Sequence, residues 1–225
     1  MASSAVPTNS VANIARTTHW TFVSLLAAWS CAWIFKAFLD SRVEWFRGES
    51  VTFVFWLAAK IFVWILPSVL LIRASGRDWK TVVNVGEWRR WTAWGLAVGG
   101  AIAASGLLRK AIEGRPLVSH GWEFATWNVL IVAPLFEEFF LRASVLGNLT
   151  PAMGFPRANI ATSLYFVALH VPGWYMMGNL GTKVGALGGG AFSIFVLGLL
   201  FGWTAHKGRS FLGATLAHAL NNFVG

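Results

Sequence analysis

Charge is scarce in this chain, and negative charge scarcest: 12% of residues are charged, with 9 Asp and Glu against 18 Lys and Arg. A soluble domain carries roughly a quarter charged residues, so an ordinary water-soluble globule is excluded. Cysteine is nearly absent too. Cys31 alone rules out an intrachain disulfide and any metal site built from several cysteines; within an apolar helix it is expected as a small core residue. There is no linker and no internal repeat. No His-Glu-x-x-His segment is present, so no single helix supplies two zinc ligands in that way. The stretch from Met1 to Thr18 is polar with one cation. It lacks the basic start and short apolar core of a cleaved signal peptide, and the first apolar stretch is expected to remain as a helix.

What the chain has in abundance is apolar surface: 56% hydrophobic residues, mean hydropathy +0.59, and 14 Trp. Stretches long enough to span a bilayer fall near 20–39, 51–72, 91–108, 123–147, 158–175, 190–206 and 210–224. About 20 apolar residues cross the hydrocarbon core; the last two stretches are short for a single crossing. The expectation is an all-α polytopic membrane helical bundle of seven or eight transmembrane helices. Residues 1–225 form one integral membrane domain, with a motif-bearing half at about 123–225. Trp20, Trp45, Trp79, Trp88, Trp91, Trp122, Trp127, Trp174 and Trp203 sit near segment ends, as an interfacial aromatic belt requires.

A net charge of +9 invites a nucleic-acid reading, but the cations lie in short loops between apolar stretches, not on one face or in one run. No nucleic-acid partner is expected; the bilayer is. Arg73, Arg77, Lys80, Arg89 and Arg90 crowd one loop, which the positive-inside rule places on the cytoplasmic side together with the N-terminus. A prokaryotic inner membrane is the expected location.

Against this background, two adjacent acids inside Pro134-Leu135-Phe136-Glu137-Glu138-Phe139-Phe140-Leu141-Arg142 carry the most information. A carboxylate at membrane depth costs several kcal/mol (about 2.5–3.5 on insertion scales) and defaults to a functional role. Glu138 and Arg142 are four apart with the acid first, the better order for an ion pair on a helix. Glu137 is turned by about 100° from its neighbour and is left free for chemistry. His170 follows Phe166 by one turn and precedes Val171-Pro172-Gly173, which reads as a helix end. His218 and Asn222 again lie one turn apart. Each motif alone could be interhelical glue. Counted from loops expected at 148–157 and 206–210, with 171–189 an outside loop, Glu137, His170 and His218 lie about 15, 18 and 12 Å deep, one layer of the membrane.

The series Glu-Glu-x-x-x-Arg, Phe-x-x-x-His and His-x-x-x-Asn, in that order, resembles the CAAX protease and bacteriocin-processing (CPBP, or Abi) family of intramembrane endopeptidases. The likeness runs from about Pro134 to the C-terminus; Ala143 follows Arg142 where many members have Gly. The resemblance implies peptide-bond hydrolysis near the membrane surface, on a peptide or protein substrate that can be lipidated at a CAAX-like C-terminus. It implies Glu137 as the general base that activates water, His170 as the residue holding that water, and His218 and Asn222 as oxyanion donors, supported by Glu138 and Arg142. A desolvated Glu is suited to act as a base near neutral pH, and oxyanion donors count most in a low-dielectric cavity. No cofactor is expected to be required, although two His and one Glu could hold zinc. Two other classes compete: a proton-coupled transporter using Glu and His as a relay, and a non-catalytic immunity or scaffold protein. The transporter would favour repeats and paired broken helices, which are not found.

The remaining polar residues have plainer expectations. His19, His120 and His206 sit at segment ends and are read as interfacial, and Lys36 and Lys60 as snorkelling toward segment termini. The glycine-rich stretch from Gly178 to Gly190 reads as a flexible external loop. Asn221, turned away from His218, receives no role.

Overall fold

The computed structural model describes residues 8–117, 121 and 123–224; His120 and Trp122 lie outside the described residues. Every regular element among them is helical. The order is α1 Thr8–Arg42, α2 Glu49–Lys60, α3 Leu66–Ala74, α4 Trp79–Val83, α5 Trp88–Ile112, α6 Phe124–Trp127, α7 Ala133–Glu138, α8 Gly147–Met153, α9 Phe155–Met176, α10 Leu180–Gly185, α11 Ala191–Gly208 and α12 Phe211–Val224. Helix covers each apolar stretch picked out from the sequence. Of the expected crossings, three helical stretches meet a length and hydropathy standard for a membrane span among the described residues: Val11–Arg42, Glu49–Ala74 and Trp79–Ile112. The 14 residues of α12 reach only about 21 Å, short of a hydrocarbon core of about 30 Å.

Small residues set the packing of the C-terminal half, as expected where lipid supplies no hydrophobic drive between helices. A Cβ on Gly99 of α5 would lie 2.7 Å from the Ala217 Cα of α12, and one on Gly95 would lie 2.8 Å from the Gly213 carbonyl oxygen. The backbones of α5 and α12 therefore touch, which fixes the depth of His218. Gly202 of α11 leaves room for Asn159 of α9, whose Oδ1 would be 1.8 Å from a Cβ there; Asn159 donates to the Leu199 carbonyl at 3.0 Å. Around these contacts lies a core of Trp64, Phe140, Leu141, Leu149, Phe166 and Phe201, all buried. The long α1 lies against α9: Phe22 stacks on Tyr165 at 3.8 Å, and the Trp29 indole donates to the Leu169 carbonyl at 3.0 Å.

Three stretches are wound as π-helix, continuous with the α-helices beside them: Ile61–Ile65, Asn128–Val132 and Phe139–Leu146. Pro67 and Pro134 follow the first two closely. A proline inside a helix has no N–H to give and pushes on the carbonyl one turn back, and a wider turn relieves both problems. Wide turns of this kind are rare and concentrate at functional sites.

Several expectations need correction. The loop expected at 148–157 is helix on both sides of Gly154, whose φ of 75° makes the turn. Nor does α9 stop at Val171-Pro172-Gly173; it runs to Met176 with Pro172 inside. Gly173 presses against Trp33, 2.8 Å from where a Cβ would sit, and Trp174 is buried, so packing outweighs the backbone bond that Pro172 cannot make. The glycine-rich stretch contains α10 and is not all loop. Cys31 is exposed, because the buried stripe of α1 runs through Phe22, Trp29 and Lys36 instead. Lys36 does not snorkel: it is buried, pairs with Asp40 and donates to the Phe46 carbonyl at 3.2 Å.

Candidate active site

The two acids part as their helical positions require. Glu138, at the end of α7, has no exposed surface. Its carboxylate lies 3.0 Å from the Arg142 Nε, off the line of a hydrogen bond, and Arg142 is equally enclosed. The guanidinium also donates to the Gly198 carbonyl at 3.1 Å and lies over the Phe166 ring at 5.4 Å. On its other oxygen Glu138 meets the His218 Nδ1 at 3.0 Å. One carboxylate thus ties α7 and the π-helix after it to α12, and through Arg142 to α11.

That tie orients the His218 ring. With Nδ1 toward Glu138, Nε2 faces Glu137, 4.0 Å from its Oε2. The ring is stacked on Phe201 at 4.7 Å and meets the edge of Phe166 at 5.7 Å, so it has little freedom to turn. Phe166 also contacts His170 edge-on at 5.0 Å. The His170 Nδ1 donates to the Phe166 carbonyl, one turn back in α9, at 2.8 Å. Its Nε2 therefore carries a lone pair in the neutral ring.

Glu137 and His170 line one cavity of about 370 Å³. Its volume is in the range of small-ligand sites, about 300–1,000 Å³. Five tryptophans stand in its wall: Trp29, Trp33, Trp56, Trp64 and Trp174. Trp174, expected in an interfacial belt, is a cavity residue, whereas Trp20 and Trp45 remain exposed on the outside. Asn222 stands one turn beyond His218 and donates to the Val129 carbonyl at 2.9 Å; Val129 is itself in the cavity wall. Its side-chain oxygen accepts from Asn221 at 3.0 Å. The structure therefore gathers Glu137, Glu138, Arg142, His170 and His218 into one group, with Asn222 behind the wall.

Sequence reasoning missed two contributors. Lys60, read as snorkelling, is buried in the cavity wall, donates to Asn128 Oδ1 at 2.9 Å and sits over the Trp64 ring at 5.8 Å. The same argument that singled out Glu137, a charge inside an apolar run, applies to it. Arg77, in the loop between α3 and α4, donates to the carbonyls of Ala143 and Ser144 at 2.6 and 3.2 Å. It secures the π-helix that carries Arg142. Burial lowers its guanidinium to about 10, so it stays charged at neutral pH. No signal in the sequence separates Arg77 from the other cations of its loop.

Among the described residues no three His, Cys, Asp or Glu side chains converge as a metal-holding group. No curated protein and no solved structure matches the chain. The motifs, however, fall in a segment with a family match. Residues 119–224, which carry both acids, the two motif histidines, Arg142 and Asn222, match the family described as Rce1-like, type II CAAX prenyl endopeptidase.

Proposed function

We propose that the protein is an intramembrane endopeptidase that hydrolyses a peptide bond with a Glu137-activated water, on substrates that include lipidated CAAX-like C-termini. The observation that carries this reading is the shared cavity of Glu137 and His170, with the His218 Nε2 4.0 Å from Glu137. Two hydrogen-bond acceptors at one cavity wall, the Glu137 carboxylate and the His170 Nε2, suit a water that donates one proton to each. Its lone pair is then left for a substrate carbonyl. The water oxygen adds to that carbon as Glu137 takes its proton. The tetrahedral carbon expels the amide nitrogen, Glu137 returns the proton to it, and the products are a carboxylic acid and an amine.

His218 is the donor suited to the developing oxyanion. With Nδ1 committed to Glu138, Nε2 can donate only when the ring carries both protons. Glu138 and Glu137 are the acceptors such a cation would need on its two sides. Asn222 retains a second amide proton beyond the one given to Val129; as it does not line the cavity, its assignment to the same oxyanion requires its side chain to turn inward when substrate binds. The Rce1-like match supports the peptidase class and the lipidated substrate. The three apolar helical stretches support a membrane setting, for which a prokaryotic inner membrane is our assignment.

The test is cleavage of a peptide library, farnesylated C-terminal peptides included, by the purified protein in detergent. Wild type and Glu137→Ala are compared, each with and without a zinc chelator. Removal of the base is expected to cost at least about 10²–10⁴ in rate. Activity in the wild type should survive chelation. Turnover by Glu137→Ala at the wild-type rate would overturn the assignment, and loss on chelation with recovery on added zinc would make the same side chains metal ligands.

A further inference from the structure

A second cavity, of about 260 Å³, shares no residue with the one that holds Glu137. Its wall is made where helices begin and end: the loop before α4, α8, the start of α9, the end of α11 and the start of α12. It therefore lies at one end of the bundle, at the level of the headgroups when the helices cross a bilayer. Arg77, His206 and Arg209 line it, and no acid does. Arg142 is in the wall too, but its guanidinium is enclosed beside Glu138 and does not count toward the cavity's charge.

Each of the three has donors to spare. Arg77 spends Nε on the Ser75 hydroxyl and one terminal nitrogen, Nη2, on the carbonyls of Ala143 and Ser144. Its Nη1 lies against Gly147, in the cavity wall, without an acceptor among the described residues. The His206 ring stacks on Phe155 at 4.0 Å, which fixes its plane and leaves its nitrogens free. Arg209 holds φ at 57°, a left-handed backbone that glycine adopts freely and a larger residue adopts at a cost. Its one ion pair, to Glu87 at 3.6 Å, joins side chains 61% and 39% exposed and is worth little. That pair does not account for an arginine in so costly a position.

Paired arginines with an imidazole and no carboxylate suit an anion with several acceptor oxygens, and phosphate matches the guanidinium best. The rest of the wall is largely apolar, with Leu146, Pro151 and Phe211. A free ion in water gains nothing from such a wall, whereas a headgroup whose acyl chains remain in the bilayer does. Arg73, Lys80 and Arg89, all exposed in the stretch from α3 to α5 that carries Arg77, add to the positive potential that draws anionic lipid.

We infer that this cavity binds the phosphate of an anionic phospholipid through Arg77, His206 and Arg209. The bound phosphate holds Arg77 against the Ala143 and Ser144 carbonyls, so the lipid steadies the π-helix that carries Arg142.

The test is thermal unfolding of the protein in an uncharged detergent, titrated with dioleoylphosphatidylglycerol, dioleoylphosphatidylcholine or inorganic phosphate. The anionic lipid should raise the midpoint in a saturable way, and the zwitterionic lipid and inorganic phosphate should not. Arg209→Gln should require about fivefold more anionic lipid for the same rise, the effect of one basic side chain at a membrane surface. His206→Phe keeps the stack on Phe155 and should also weaken the response; it carries the test if Arg209→Gln does not fold. Arg115→Gln makes the same charge change beyond the other end of α5 and should leave the response intact. No midpoint rise with the anionic lipid, or an equal rise with phosphatidylcholine, would overturn the inference. An equal loss in Arg115→Gln and Arg209→Gln would show diffuse attraction without a site, and would overturn it too. A rise reproduced by inorganic phosphate would make the ligand a free ion and overturn the lipid assignment. None of these outcomes depends on whether Glu137→Ala loses turnover.

Discussion

Glu138 and Arg142 form a tie whose value can be worked out from burial alone. Both side chains have no exposed surface, and their charged atoms lie 3.0 Å apart. Replacing Glu138 by Gln preserves shape and leaves an oxygen that still accepts from His218, so the change removes mainly the charge. Arg142 then stays buried beside a neutral amide, with the Gly198 carbonyl as its remaining acceptor. Breaking a buried pair by removing one partner costs about 3–5 kcal/mol. In a chain of this size each kcal/mol lowers the unfolding midpoint by about 2–4 °C, so the expected fall is about 6–20 °C.

The chain provides its own control. Arg109 and Glu113 share the i, i+4 spacing, but their atoms are 4.0 Å apart and their side chains 62% and 42% exposed. Glu113→Gln should cost no more than about 0.5 kcal/mol. Thermal unfolding in detergent is measured for wild type, both single variants, Arg142→Met and the Glu138→Gln/Arg142→Met double variant. The double variant should fall short of the sum of its singles by about 0.5–3 kcal/mol, since neither charge is then left alone. A Glu138→Gln midpoint indistinguishable from that of Glu113→Gln would refute the claim that burial makes this pair structural.

Two further expectations concern close approaches. A Cβ on Gly147 would meet the Arg77 Nη1 at 1.9 Å, so Gly147→Ala should displace Arg77 from the Ala143 and Ser144 carbonyls and lower both stability and turnover. Adding Arg77→Ala should make that second change nearly silent, read by the same thermal and cleavage assays; a Gly147→Ala penalty unaffected by Arg77→Ala would refute the contact. Gly99→Ala forces α5 from the Ala217 backbone, at a cost of about 1–3 kcal/mol, and should reduce cleavage because α12 carries His218. Wild-type melting for that variant would mean that the helices are not in contact there.

How far the sequence discloses this arrangement depends on whether a residue's partner is close in the chain. Glu138 and Arg142 are one turn apart on the same helical path, so their pairing follows from spacing alone. That Glu137 points elsewhere follows from the same geometry. Agreement in depth brought His170 and His218 to the same layer, although two of the boundaries used for it were misplaced. The turn is at Gly154 rather than across 148–157, and α9 passes through Pro172. An error of a few residues in such a boundary moves a depth by only about 1.5 Å per residue.

Lys60, Asn128 and the four tryptophans from α1, α2 and the π-helix after α2 were not legible for the opposite reason. Their meeting depends on how α1 and α2 lie against α9 and the Asn128–Val132 π-helix, and no local spacing encodes that packing. Trp29, Trp33, Trp56 and Trp64 look like ordinary membrane-helix residues until their rings are found at 4.4–6.4 Å from one another. What a sequence does display is the anomaly that such packing must resolve: a lysine in an apolar run has to end in water, beside an anion or at a site. Lys36 takes the second course, with Asp40 one turn away. Lys60 has Ala and aromatic neighbours, no acid one turn to either side, and no water-facing end within its own helix. Its own helix therefore offers Lys60 no partner, and the fold supplies one from elsewhere by placing it in the cavity wall with Asn128 and Glu137.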